Sequence, residues 1–293
     1  MSLLRRIAKK AKSEPPALVA MVGDLHVNST TGLPPGLSFP LDDGGTYRAS
    51  KTQRWLLDAW LNYWSIIDAR QKEHGAELFV IINGDIVDGD HHDTRQIITR
   101  NETTQGRMAV HILDPVAQRC KPDHLFVTRG TSSHVGHCAA WDEKIAEDLG
   151  AHPARRIDDL VVAWSHWYLK VAFRGVKFDV MHHTTRSKVP RSKGASAGRL
   201  AADTQGRYID RGEWPPDLVV RSHVHVSEDS DDNHRTRAII LPCWQGPTEY
   251  GHTIAPGDWP TIGGAWALCQ DGGYHLEIER YPYKEEQQEW IEF

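Results

Sequence analysis

The sequence predicts an α/β fold, on three observations. Several apolar runs are strand-length and lack polar alternation, the mark of strands buried on both faces. A long amphipathic segment lies between the first two of them. The runs end in glycine, aspartate or histidine, and open α/β sheets place their chemistry just past the carboxyl ends of their strands.

Taken in order, Ala17 to Val22 is the first buried-strand pattern, and it ends in Gly23-Asp24-Leu25-His26. Residues 28–47 are rich in Gly, Pro, Ser and Thr and read as a long loop, a feature uncommon inside domains and often functional. A helix is expected over 50–73, where Trp55, Leu56, Ala59, Trp60, Tyr63, Ile66 and Ile67 recur at three- and four-residue intervals before Gly75. Trp55, Trp60, Tyr63 and Trp64 read as core packing rather than as a base-stacking platform. Next comes the run Leu78-Phe79-Val80-Ile81-Ile82, which breaks at Gly84 and delivers Asp85 and Asp88. A carboxylate on the rim of such a strand is costly unless something cationic holds it.

A second helix is expected over 105–120, with Pro115 kinking or dividing it. A third strand, 123–128, runs into Arg129-Gly130-Thr131-Ser132-Ser133-His134, and a helix over 139–149 should stop at Gly150. From Leu160 the texture turns to β, with arms at 164–173 and 177–181 around an Arg174-Gly175 hairpin turn, the second arm reaching His182-His183. The basic segment Arg186 to Lys193 reads as a loop that could steer a polyanion, leading to a helix near 200–208. A strand over 217–220 ends in Arg221-Ser222-His223-Val224-His225, and 237–241, 264–269 and 274–283 read as antiparallel strands. No repeat or linker is visible, so residues 17–293 are expected to form one domain behind a basic tail, 1–16.

The composition is that of a soluble globular protein, with 40% apolar and 25% charged residues. A net charge of −5 argues against a bulk nucleic-acid or membrane binder. The tail (Arg5, Arg6, Lys9, Lys10, Lys12) lacks the apolar core of a signal peptide, and no run is long enough to span a bilayer. The expectation is a cytoplasmic protein with no membrane partner, and Cys120, Cys138, Cys243 and Cys269 as free thiols.

The 17 histidines are the unusual count. Those at 91, 92, 137, 166, 252 and 275 read as ordinary, and Asp90-His91-His92-Asp93 as an exposed polar loop. The strand ends, however, carry Asp24-x-His26, Asp85-x-x-Asp88, Gly130-Thr131-x-x-His134, His182-His183 and His223-x-His225. Oxygen and imidazole donors together suit borderline divalent ions. The D-x-H and H-x-H spacings fit extended segments with both side chains on one side. Two metals ~3.5–4 Å apart form a clamp for phosphoryl transfer, and a carboxylate such as Asp85 could bridge them.

In this order the motifs resemble those of the calcineurin-like metallophosphoesterases, and in particular the shorter versions found in phages and prophages. The resemblance spans Gly23 to His225, about two thirds of the chain. It implies a four-layer αββα sandwich: two mixed β-sheets packed face to face, flanked by helices, with the site at one rim. It also implies two divalent ions, manganese first, with Fe, Zn, Co, Ni or Mg as alternatives. One ion would be held by Asp24, His26, Asp85 and His225. The other would take Asp85, His182 and His223 with a neutral ligand from the third motif. His183, Asp88 and Arg129 would lie behind the ligands or against substrate. The family's third motif is G-N-H-[DE]; here Thr131 stands at the Asn position, and His134, the expected general acid, comes two residues late. The second site could be completed by Thr131, by His134 or by water. Ser222 for Gly before His223 is a mild departure. The implied activity is phosphoester hydrolysis by a metal-bound hydroxide attacking in line, leaning to a phosphodiesterase or DNA nuclease. A phosphomonoesterase is the alternative, and a non-catalytic, nucleic-acid-associated module the rival from another class. In a phage the chain would work in the host cytoplasm.

Overall fold

Alternate residues of the first strand, β1 (Ala17–Val22), face two different cores. Leu18, Ala20 and Val22 join one cluster, and Ala17, Val19 and Met21 join another. This two-sided burial, a consequence of the strand's two-residue period, is why the run shows no polar alternation. The computed structural model describes residues 14–90, 94–184, 195–254 and 257–282. Most of the basic tail, His91, His92 and Asp93, the Arg186 to Lys193 segment and Tyr283 fall outside them.

After β1 the expected long loop carries a small hairpin of its own, β2 (Ser38–Pro40) and β3 (Thr46–Arg48). Helix α1 (Lys51–His74) opens on a capping box between Ser50 and Gln53 and closes on Gly75 at φ 57°. Then come β4 (Glu77–Asn83), α2 (Glu102–Ala117) and β5 (Leu125–Thr128). Pro115 does not divide α2: it sits in the last turn, where its missing N–H costs one bond to the His111 carbonyl and the helix ends two residues on. A single turn, α3 (Ser132–Val135), precedes α4 (Ala140–Asp148), beyond which Gly150 takes a left-handed φ of 64°.

An exposed hairpin, β6 (Arg155–Ile157) and β7 (Leu160–Ala163), leads to a second hairpin, β8 (Leu169–Phe173) and β9 (Val176–Val180), turning at Arg174-Gly175. The first arm of that second hairpin starts at Leu169 and not at Trp164. The N–H groups of Trp164 and Ser165 go instead to the Glu143 carboxylate, at 2.8 and 2.9 Å. The remaining elements are α5 (Ser196–Asp210), β10 (Leu218–Arg221), β11 (Glu228–Asp229), β12 (Arg237–Ile240), α6 (Glu249–Ile254), β13 (Ile262–Gln270) and β14 (Gly273–Tyr281).

Two five-stranded sheets result, in the orders β14-β13-β1-β4-β5 and β11-β12-β10-β9-β8. Both are mixed: β1, β4 and β5 run parallel, as do β9, β10 and β12, while the pairs β1/β13, β13/β14, β11/β12 and β8/β9 are antiparallel. The antiparallel reading of 237–241 therefore holds only toward the two-residue β11; toward β10 that strand is parallel. Phe79, Ile81 and Phe126 of one sheet meet Phe173, Phe178, Val180 and Val220 of the other in the middle core. Helices α1, α2 and α4 cover the far face of the first sheet, and α5 packs Ala201 on Val219 and Ala238 of the second. The fold is the expected αββα sandwich.

Trp60, Tyr63 and Trp64 are buried, as core packing requires, and Trp60 meets Trp64 and Trp244 edge-on at 5.5 and 4.9 Å. The Tyr63 hydroxyl donates to the Ala265 carbonyl at 2.7 Å, and a Cβ at Gly264 would stand 2.8 Å from the Tyr63 ring. Glycine is what lets α1 lie this close to β13. Trp60→Ala should lower unfolding free energy by about 3–5 kcal/mol in urea denaturation, the usual cost of deleting a large buried side chain.

Candidate metal centre

Parallel neighbours end on the same side, so the loops after β1, β4 and β5 and those after β9 and β10 meet at one rim. Backbone bonds tie them together: Asp24 N–H to Gly84 O at 3.0 Å, His26 N–H to Asp85 O at 3.1 Å, Ser222 N–H to His182 O at 2.9 Å and Trp244 N–H to Asp24 O at 2.9 Å. Asp24 and His26 do not lie on an extended segment, and neither do His223 and His225. Their φ angles are 51°, 46°, 78° and 57°, and Asp85 has 51°. Residues with side chains rarely adopt this region, and each such position costs on the order of 1–2 kcal/mol. The cross-loop bonds hold it in place, and the twisted backbone, not a pleat, turns both members of each pair toward the rim.

Two donor groups form there. Asp24, His26 and His225 are one; the His26 and His225 Nε2 atoms face each other at 3.0 Å, with His225 Nε2 3.3 Å from Asp24 Oδ1. Asp85, His182 and His223 are the other. Asp85 also falls within reach of His26 and His134, so it is shared between the two sides. His182 Nε2 lies 3.0 Å from Asp85 Oδ2 and 3.8 Å from Asp24 Oδ1. Its neighbour His183 is exposed and, among the described residues, meets the site through ring contacts with His182 and His223.

The third-motif loop departs from its expected length without losing its reach. The α3 turn absorbs the two extra residues and puts His134 Nδ1 2.7 Å from Asp88 Oδ1, its ring edge-on to His26 at 4.6 Å. Thr131 reaches Asp85: its N–H donates to Oδ1 at 2.6 Å, and its hydroxyl lies 3.0 Å from both carboxylate oxygens. Arg129 is not brought to the donor groups. Its guanidinium is engaged by Ser165, Glu143 and the Cys138 carbonyl, and lies over the Trp167 ring.

Several buried polar residues behind the donor groups carry no clear signal in the sequence. The Asn83 carbonyl takes the His182 Nδ1–H at 2.7 Å, leaving Nε2 for the rim. The Asn83 side chain spans Thr128, Ser222 and the Met181 carbonyl. Asn28 and Gln245 both bond Asp88, and Asp142 bonds the backbone of Ile86 and Gly130. Only Asn83 had a sequence signal, as the polar last residue of an apolar strand. A cavity of about 590 Å³ between Phe39, Arg107, His111 and Trp141 lies elsewhere and contains none of these residues.

The electrostatics favour a bound cation. Asp24 and Asp85 are buried, and among the described residues their ion-pair partners are all histidines. Burial alone would raise both carboxyls, but the charges and hydrogen bonds of the surrounding histidines, His182 first, together outweigh it and hold Asp24 below, and Asp85 well below, the usual range. Burial also opposes the His182 charge, yet Asp85 and Asp24 lift it to about 9. His223 is lowered to about 4 by burial and by His182, and His26 is lowered by burial and by His134, so both offer neutral imidazoles. His182 Nε2 and His26 Nδ1 are buried and make no well-aligned hydrogen bond, facing carboxylate oxygens of Asp85 at 3.0 Å and Asp88 at 3.4 Å. Buried carboxylates, neutral imidazoles and a ring nitrogen set between two aspartates fit divalent ions.

No family model and no curated protein matches the chain. Among solved structures it is similar to a single mutant of Vps29 from Entamoeba histolytica, at 12% identity over 90% of this chain and 99% of that one, with a TM-score of 0.37. A hypothetical protein from Pyrococcus horikoshii OT3 has 14% identity over 92% and 89%, with a TM-score of 0.44. A dimetal phosphatase from Danio rerio has 9% identity over 91% and 96%, with a TM-score of 0.45. Likenesses this distant assign no residue and no activity, and the site stands on its own geometry.

The His182 shift has a signed consequence. In the metal-free protein its folded value, about 9, exceeds the ordinary 6.5, so its stabilising contribution is present below pH 6.5 and lost as pH rises through about 9. A bound ion must displace that proton. Chelator-treated protein should therefore lose thermal stability between pH 6.5 and 9, while Mn²⁺ affinity in calorimetry rises, by up to about tenfold per pH unit for one proton released.

Proposed function

We propose that this chain is a dinuclear, metal-dependent phosphoester hydrolase acting on phosphodiesters, with nucleic acid as the favoured substrate. The observation that carries the hydrolase reading is the pair of donor groups, Asp24–His26–His225 and Asp85–His182–His223, on one rim with Asp85 common to both sides. Asp24, His26, Asp85 and His225 would hold one ion. Asp85, His182 and His223 would hold the other, with the Thr131 hydroxyl as a neutral donor beside it. When bound, the ions supply positive charge to the phosphate oxygens and acidify a shared water. Mn²⁺ is the favoured ion for this mixed oxygen and imidazole set, ahead of Fe, Zn, Co, Ni and Mg.

The chain's own residues supply orientation and a proton. Asp88 fixes one ring nitrogen of His134, and the other can protonate the leaving oxygen. Burial disfavours the charged ring, but the hydrogen bond it donates to Asp88 and the Asp85 charge raise it above its ordinary value, as an acid near neutral pH requires. The diester preference rests on the motif resemblance and on the basic Arg186 to Lys193 segment, where positive charge suits a polyanion.

Assays with Mn²⁺ on bis(p-nitrophenyl) phosphate and p-nitrophenyl phosphate separate the readings. Faster diester cleavage is expected; cleavage of the monoester alone would make the chain a phosphatase, and cleavage of neither would remove the enzyme reading. Asp85→Asn should cut kcat by roughly 10³-fold or more with the fold intact by circular dichroism. His134→Asn should cost about 10²–10⁴-fold on a DNA strand, whose alkoxide needs a proton. The same variant should lose far less on nitrophenyl esters, whose leaving group departs unprotonated.

A further inference from the structure

We propose that Asp142 is a positioning residue that closes a ring of hydrogen bonds around Asp85 and so sets how tightly the rim holds its ions. The inference rests on the metal-dependent reading above and adds a residue outside both donor groups. Asp142 lies in the first turn of α4 and is fully buried. Its Oδ2 accepts the Gly130 N–H at 2.6 Å and its Oδ1 accepts the Ile86 N–H at 3.3 Å. Ile86 directly follows Asp85, and Gly130 directly precedes Thr131, whose own N–H donates to Asp85 Oδ1 at 2.6 Å. The ring therefore runs from the Asp85 backbone through Ile86, Asp142, Gly130 and Thr131 back to the Asp85 carboxylate. Two successive amides of one loop, those of residues 130 and 131, are aimed at two different aspartates.

The surroundings make the ring stiff. A Cβ at Gly130 would stand 2.1 Å from Asp85 Oδ1 and 2.3 Å from Asp85 N, so the loops are in direct contact with nothing between them. Next to Asp142, the Trp141 ring lies on Gly106 of α2, where an added Cβ would come within 2.5 Å of it. The anchor thus sits on packed helices, not on another loop. Asp85 has the left-handed φ of 51°, a conformation its neighbours must impose. Two N–H groups need two acceptor oxygens, and among side chains of this length only a carboxylate has them. Asparagine keeps one acceptor and turns an NH₂ toward the other donor.

The test is Mn²⁺ calorimetry on the full chain and on Asp142→Asn, each first stripped of metal and checked by circular dichroism. The folded variant should bind Mn²⁺ about 10–100-fold more weakly, the usual cost of losing a group that orients ligands. Its kcat should recover toward wild type at saturating Mn²⁺, with KM for the diester little changed. Asp148→Asn, at the exposed end of the same helix, should leave Mn²⁺ affinity as it was. Wild-type affinity in a folded Asp142→Asn would overturn the proposal while leaving the hydrolase reading in place. No Mn²⁺ uptake by the wild-type chain would overturn both. Should Asp142→Asn not fold, amide exchange on the metal-free wild type decides: Ile86, Gly130 and Thr131 should be protected well beyond exposed loop amides, and exchange at open-loop rates would overturn the ring.

Discussion

Water does not reach the Asp85 carboxylate, which ends a strand packed on both faces, so its charge has to be met from within the protein. No lysine or arginine among the described residues forms an ion pair with it; His182 does, and the Thr131 N–H and hydroxyl complete the contacts. Much of the rim follows from that constraint. His182 must face Asp85, so its other nitrogen is held by the Asn83 carbonyl, and Asn83 in turn ties β4 to the loops after β9 and β10. Neutralising one buried carboxylate thus couples the two sheets at the edge where they carry their polar residues.

The second cost is conformational. Five residues of the donor groups have left-handed backbone angles, which local sequence would not choose. They are stabilised by bonds between loops, which exist only because the strands on either side are parallel and in register. The sandwich cores, with Trp60, Tyr63 and Trp64 under one sheet and Phe173 and Phe178 between the two, supply the rigidity that strained loops require. A polar rim of this kind is strained and stable together because the strain is local and the burial is not.

The third motif shows what spacing can hide. Counted against the motif the sequence resembles, His134 comes two residues late and Thr131 offers a hydroxyl in place of an amide. In space the α3 turn takes up the extra length, and His134 meets Asp88. Thr131 is pulled onto Asp85 by its backbone as much as by its side chain. Arg129 shows the reverse: it is adjacent in sequence to this loop but is claimed by Glu143, a residue from the helix behind it.

The sequence by itself determined the buried central strands, the helix over 50–73 and the set of Asp and His residues at the strand ends, because burial and periodicity are local properties that residue order records. It did not determine the backbone that aims those residues. The D-x-H and H-x-H pairs read as pleats, whereas left-handed turns present them, since a φ angle imposed by a neighbouring loop leaves no mark on residue identity. Nor could it reveal Asp142, Gln245 or Asn28, whose partners lie 12 to 216 residues away and whose polarity looks ordinary until the fold buries it. Which aspartates would gather at the strand ends was written in the chain; which polar residues would hold them still was decided by tertiary packing, because a hydrogen bond needs a partner in space and the partner is fixed only when the sheets meet.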